Sequence, residues 1–252
     1  MNARVTMQEL GAGLPANLFT PALARAEERL PFTVRVAASE ERLRKAVSLR
    51  QHAYGRHVPA LGELLREAEE KDHAPGCVVL VAESKLDGEP VGTMRIQTNR
   101  YAPLAIEESV ELPESFAGCS LAEATRLGVV VGRVGRVVKT MLFKALYQYC
   151  VEQSIEWLVI GARPPLDRMY EGLLFTEVFA GGGYFPLKHA GNIPHRILAL
   201  EIDTADARWR AARHPMYDLY VNTYHPDIEI WETGFGIGHG VQHAPFATGV
   251  AA

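Results

Sequence analysis

LAEATRLGVVVGRVGRVVKTMLFKALYQYCVEQSIEWLVIGARPPLDRMYEGLLF, residues 121–175, is the stretch that decides the fold of this chain. Ala122 to Val131 reads as a strand and Arg133-Val-Gly135-Arg136 as a turn. Val137 to Gln153 then places Val138, Met141, Leu142, Ala145, Leu146 and Tyr149 at helical spacing. Ile155 to Gly161 is almost wholly apolar, as a strand covered on both faces must be. Pro164 and Pro165 start a short helix through Tyr170 to Leu174, because proline is tolerated in a first turn where its missing N–H has no partner to lose. The order is strand, turn, helix, strand, helix.

Outward from this unit, Phe32, Val34 and Val36 alternate with polar neighbours, the period of a half-buried strand. Ser39 is a natural N-cap before a helix whose Leu43, Ala46, Val47 and Ala53 share one face. A charged helical stretch is expected over Leu61 to Lys71. CVVLVAE and PVGTMRIQT flank a Lys85-to-Glu89 turn containing Asp87-Gly88 and predict an antiparallel hairpin. Leu104 to Gly118 is acidic and irregular, a surface loop or lid. Two more strands are expected near Thr176 to Phe185 and Arg196 to Asp203. Trp209, Met216, Tyr217, Tyr220 and Tyr224 then fall at helical spacings and suggest a cover for the sheet. The fold class is α/β with a mixed sheet. It is divided into an N-terminal arm (1–31, with a polar helical run around Ala22 to Leu30), a main domain (32–203), and a C-terminal helical cover with a Gly/His-rich tail (204–252).

With 252 residues and 48% hydrophobic content the chain can bury a large core. A net charge of −4 and a pI near 6.2 argue against a general nucleic-acid binder, which needs a marked excess of Lys and Arg. Cys77, Cys119 and Cys150 are odd in number and widely spaced, so they read as reduced thiols rather than a disulfide frame. No secretory pattern opens the chain and no run reaches the ~18 apolar residues of a membrane span, which points to a bacterial-type cytoplasmic protein. Residues 7 to 30 leave room for a peripheral membrane contact. His189, His195, His214, His225, His239 and His243 show no ligand spacing, so no metal is expected.

Arg126, Arg133, Arg136, Lys139 and Lys144 fall within residues 126–151, which contain no acidic residue. The Arg133–Arg136 turn lies where free backbone N–H groups and a helix dipole favour an anion, so a phosphate fits there; solvated arginines on a connector are the alternative. Glu123 and Arg126, three apart on a strand, reach one cleft only if the strand bulges between them. Glu123 has the chemistry of a general base toward an amine, and Tyr170 could protonate a departing thiolate. A structural Glu–Arg pair and a packed tyrosine are the corresponding plain alternatives.

These elements resemble the GNAT superfamily of N-acyltransferases, and within it the bacterial long-chain N-acyl amino acid synthases and the related acyl-homoserine-lactone synthases. The likeness is carried by AVSLRQHAY (46–54), GEPVGTMRI (88–96), EATRLGVV (123–130), RVGRVVKTMLFKALYQYC (133–150), LVIGARPPLDRMYEGLLF (158–175) and HPMYDLYVN (214–222), about two-thirds of the chain. The resemblance implies an acyltransferase moving a medium or long acyl chain to the α-amine of an amino acid. Glu123 takes the proton, the amides of Val129, Val130 and Val131 hold the thioester oxygen, and Tyr170 protonates the sulfur. Arg133, Gly135 and Arg136 bind the phosphate of an acyl-phosphopantetheine, and Lys139 and Lys144 face the carrier. Arg126 is left with three roles: orienting Glu123, contacting the acceptor carboxylate, or bracing the strand. Two departures stand out. A phosphate-turn window opened at Arg133 puts Arg136 and Val138 where coenzyme A enzymes have small residues, which favours acyl carrier protein as donor over coenzyme A. Leu174 replaces a glycine common before the phenylalanine. An acyl-homoserine-lactone synthase and a non-catalytic acyl or carrier-protein binding module are the rival functions.

Overall fold

The computed structural model of the chain describes residues 26–231. Its strands are β1 (Ala26–Glu27), β2 (Phe32–Val36), β3 (Cys77–Ser84), β4 (Pro90–Thr98), β5 (Leu121–Val129), β6 (Trp157–Ala162), β7 (Thr176–Glu177), β8 (Phe185–Leu187), β9 (Ile193–Glu201), β10 (Thr223–Tyr224) and β11 (Ile228–Glu229). The helices are α1 (Glu40–Gly55), α2 (Pro59–Leu64), α3 (Arg133–Glu152), α4 (Leu166–Gly172) and α5 (Ile202–Ala211). The main sheet runs β11-β2-β3-β4-β5-β6-β9-β7, with β8 also paired to β9. The β2–β3–β4–β5 stretch is antiparallel, the expected 77–98 hairpin at its centre, whereas β5 and β6 are parallel because α3 carries the chain between them. The α/β class with a mixed sheet is as expected.

Strand alternation divides the core into two layers. On one face Phe32, Val34, Leu80, Met94, Ile96, Ala122, Leu158 and Leu200 pack on Val138, Leu142 and Leu146 of α3 and on Trp209 of α5. On the other, Val79 and Val81 meet Leu43, Ala46 and Val47 of α1, and Leu121, Val159 and Ile197 meet the 104–116 segment. That segment is no acidic surface loop. Leu104, Ala105 and Ile106 are wholly buried, because its apolar residues cap a cluster that would otherwise be open to water.

Several boundaries differ from the sequence expectation for local reasons. The described part of the expected 22–30 helix is extended: β1 pairs in parallel with β10, and the Leu30 amide donates to Asp227 Oδ2 at 2.8 Å. The rest of that arm, and the tail with His239 and His243, lie outside the described residues. The 61–71 stretch is broken, ending in a tight turn at Glu70–Asp72 where Asp72 accepts the Glu69 amide at 2.8 Å. The expected 176–185 strand splits into β7 and β8 around Gly181, Gly182 and Gly183, all at positive φ.

Helix α3 starts a full turn earlier than its periodicity suggests. Gly132 is its N-cap at φ +97°, and Gly135 packs so closely on the strand that a β-carbon there would lie 1.8 Å from the Val130 carbonyl oxygen. Further along the same helix, Lys144 is fully buried and so is not on the surface a carrier protein would meet. Its Nζ donates to the carbonyls of Leu219 and Thr223 at 2.6 and 2.5 Å and meets His225 Nδ1 at 2.8 Å, so it fastens the C-terminal cover to α3. The cover consists of α5 and a π-helical turn at Asp218–Asn222.

Gly135→Ala should therefore displace the start of α3 and lower stability by about 3 kcal/mol or more in denaturant titration. Lys144→Met, similar in length, strands two buried carbonyls and should cost roughly 2–4 kcal/mol in the same measurement.

Candidate active site

Strands β5 and β6 stay together for three residues. Leu121, Ala122 and Glu123 pair with Trp157, Leu158 and Val159, after which β5 continues to Val129 and β6 to Ala162 without pairing to each other. The result is a V-shaped opening in the middle of the sheet, with Glu123 at its vertex and the start of α3 beyond the end of β5. The backbone of β5 beyond the vertex is bonded on its β4 side, leaving its other edge for an extended ligand.

Glu123 is wholly buried. Its Oε2 accepts the Ile106 amide at 3.0 Å, and its Oε1 has no hydrogen-bond partner among the described residues. Burial pushes its carboxyl up to about 7, against the opposing pull of the Ile106 amide, Arg95 and Lys71. Such a group takes and releases protons near neutrality, as a general base must. His189 Nε2 lies 3.6 Å from Oε1, and burial holds this imidazole down at about 4, with Arg126 acting in the same direction.

The bulge on which the Glu123–Arg126 pattern depended is present. The β4–β5 register shifts between Thr93 and Arg95, and Arg126 sits at φ +56°. Arg126 is thereby turned to the face that carries Glu123, where Glu69 Oε2 and Oε1 take its Nε and guanidinium N–H at 2.6 and 2.5 Å. It braces the bulge and makes no direct bond to Glu123. Around it lies a buried charge cluster. Arg50 donates to both oxygens of Asp72 at 3.0 and 2.6 Å, and Arg95 reaches Glu69 at 3.0 Å, Asp72 at 3.2 Å and Thr125 Oγ1 at 3.2 Å. Burial acts to raise the carboxyls of Glu69 and Asp72, but their hydrogen bonds to Arg126 and Arg50 outweigh it and hold both below the usual range. Three guanidinium groups face two carboxylates, and one Arg95 Nη2 and Arg50 Nε are buried without a partner among the described residues. The Tyr54 hydroxyl, its acidity weakened by burial, lies within the field of Arg126, Arg50 and Arg95.

Tyr170, on α4, is buried between Phe143 and Phe175, and burial raises its phenol well above the ordinary value, with Tyr54 and Tyr220 adding to the effect. It therefore stays protonated, as a proton donor to sulfur must. Leu174, in the place of the expected glycine, adopts φ +65°, so the turn keeps a glycine-like backbone despite its side chain.

The amides after the bulge divide. Val130 N–H donates to Val91 O at 3.1 Å and is closed to a thioester oxygen. By the alternation of an antiparallel ladder, Val129 N–H then points away from β4, and its carbonyl takes Arg56 at 3.0 Å. Val131 is exposed. In the turn, Arg133 and Arg136 project into solvent from the first turn of α3, whose N-terminus has no side-chain cap. Gly135 is used against Val130 rather than held open. Val138 is buried in the core; the glycines of this stretch are Gly132, at positive φ, and Gly135, packed on Val130. Lys139 is half-buried at the rim of a 350 Å³ groove floored by Phe143, Met169, Leu173, Met216 and Tyr220.

Sequence reasoning missed Arg50, Tyr54, Glu69, Asp72, Arg95 and His189. Two had a signal: Arg50 interrupts the apolar face of α1, and Arg95 occupies an inward position between Met94 and Ile96 on its strand.

Residues 45–194, a span containing every missed and expected group from Arg50 to His189, match the family model described as N-acyl amino acid synthase FeeM. No curated protein matches the chain significantly in sequence. Among solved structures, FeeM, an N-acyl amino acid synthase from uncultured soil microbes, aligns with a TM-score of 0.55 at 18% identity, covering 72% of this chain and 96% of that one. BjaI, a coenzyme A-dependent acyl-homoserine lactone synthase solved with S-adenosylmethionine and isopentyl-CoA, gives 0.50 at 15% identity, covering 77% and 93%. These likenesses show a shared fold. With the family match extending over more than half of its length, the chain belongs to the FeeM family of N-acyl amino acid synthases and is an acyltransferase.

Proposed function

We propose that the enzyme transfers a medium or long acyl chain from the phosphopantetheine of an acyl carrier protein to the α-amine of an amino acid. The observation that supports this most is the β5–β6 opening, with a base of near-neutral pKa at its vertex and an uncapped helix N-terminus at its end. The pantetheine arm lies along the open edge of β5, its phosphate at the α3 N-terminus beside Arg133 and Arg136. Glu123 takes the amine proton directly or through water, Val129 N–H faces the thioester oxygen, and Tyr170 protonates the leaving sulfur. The surplus positive charge of the Arg50–Arg95–Arg126 cluster, with its unpartnered Arg95 Nη2, matches the acceptor carboxylate.

For the donor, the supporting feature is the face of α3. Val131, Val134 and Val137 are exposed around Arg133 and Arg136, with no acidic residue from 126 to 151. A mixed apolar and basic face suits an acidic protein surface better than a nucleotide alone. The likeness to BjaI keeps a lactone synthase as the second reading; that product would come with methylthioadenosine when S-adenosylmethionine is the acceptor, and mass spectrometry of the products separates the two.

Charge reversal at both Arg133 and Arg136 to Glu should lower kcat/KM for acyl carrier protein by about 10-fold or more, most strongly at low salt, while the smaller acyl-CoA is affected less. A wild-type preference for acyl-CoA would reject the carrier reading. Glu123→Gln should lower kcat by roughly 10²-fold or more. It should also stabilise the fold. Because the native carboxyl titrates near 7 rather than 4.5, the folded state holds a proton that the unfolded state has lost between those values, so wild-type stability falls as pH rises through that window. The Gln variant escapes this fall and should be more stable above pH 7 by on the order of 3 kcal/mol, read from denaturation midpoints at pH 5 and pH 8.

A further inference from the structure

One peptide unit is pinched between the candidate base and a histidine. The Ile106 amide donates to Glu123 Oε2 at 3.0 Å, and the carbonyl of Ala105, the other half of the same peptide group, meets His189 Nδ1 at 3.2 Å. A carbonyl only accepts, so Nδ1 carries the imidazole proton and Nε2 is a bare lone pair. That lone pair faces Glu123 Oε1 at 3.6 Å, just beyond hydrogen-bonding range. Two acceptors facing each other explain both the length of the contact and the unpartnered Oε1. A single proton between them closes the gap.

We propose that His189 carries the proton of Glu123 out to solvent, an inference that rests on the acyl-transfer function proposed above. The need follows from proton balance. An amino-acid acceptor arrives as an ammonium and loses two protons as its C–N bond forms, whereas the thiolate released by C–S cleavage takes only one. The other must reach water. Glu123 has no exposure of its own, while the His189 side chain keeps 9% of its surface exposed. The ammonium N–H bond breaks as the proton joins Oε1, the O–H proton passes to Nε2 to give an imidazolium, and that imidazolium releases it to water, restoring both groups. The charged neighbours favour onward transfer: Arg95 on β4 and Lys71 in the 70–72 turn favour the carboxylate form of Glu123, and Arg126 on β5, His195 on β9 and Lys71 disfavour a stored positive charge on the imidazole. His189 is a relay and positioning residue; it acts through Glu123.

His189→Asn tests this, since its Nδ2 can still donate to Ala105 O but offers no base to Glu123. The variant should keep its KM for the acceptor and lose about 10-fold or more in kcat near pH 7, with the deficit shrinking as pH rises and the acceptor loses its surplus proton in water. Added imidazole should restore the rate in a dose-dependent manner. Wild-type kcat at every pH, or a loss that neither imidazole nor pH alters, would make His189 a clamp on the 104–108 segment and overturn the relay. A second measurement is independent of turnover: in ¹⁵N-histidine-labelled wild-type protein, the Nε2 shift of His189 should move with the near-neutral titration of Glu123, and a flat Nε2 signal rejects the proposal. A wild-type protein that makes no amide would instead reject the functional reading, with the Nε2 signal still deciding whether the two groups share a proton.

Discussion

The bidentate ion pair between Arg126 and Glu69 is the interaction on which the site depends. A non-glycine residue in the left-handed region costs about 1–2 kcal/mol, and Arg126 is kept there by two short charge-assisted bonds in a largely buried setting. With that residue fixed, β5 carries one more residue than β4 opposes, and its course changes one turn of the ladder beyond the place where β6 leaves it. The bulge follows the point at which the sheet opens, and the orientation of the Val129 amide and the approach to α3 lie downstream of it.

The pair does not stand alone, because burying an arginine is tolerable only with its hydrogen bonds met. Glu69 and Asp72 are shared among Arg50, Arg95 and Arg126, so α1, β4, β5 and the 69–72 turn are held by one network. The same layer holds Glu123 in the opposite condition, an acid that burial makes reluctant to ionise. Positive charge in excess and a carboxyl near neutrality thus lie in one buried layer.

Much of this was legible in the sequence, and the parts that were not share a cause. The strand–helix–strand order, the hairpin and the apolar faces of α1 and α3 follow from periodicity, which is local. The Glu123-x-x-Arg126 spacing even stated its own condition, a bulge. What could not be read were partners distant in sequence: Glu69 lies 57 residues from Arg126, and His189 and Glu123 meet only because the 188–190 turn and the 104–108 segment converge. Lys144 looked like one of a basic series, yet its helical position is among the inward ones, with acceptors 75 to 81 residues away. Gly132, at positive φ just ahead of Arg133, carries no periodicity signal that would show its role as the N-cap of α3.

The fastening of Lys144 also bears on how the chain matures. The cation on α3 finds three of its partners in residues 219–225, and β2 gains its outer neighbour only when Ile228 and Glu229 arrive, close to 200 positions after Leu30 and Val34. Contacts of such sequence separation form late. A nascent chain still held at the ribosome beyond α5 lacks the 219–225 groups that bind Lys144 and has an open sheet edge at β2. The native core is thus sealed by residues 219–229, after the strands that bear the candidate site have already been synthesised.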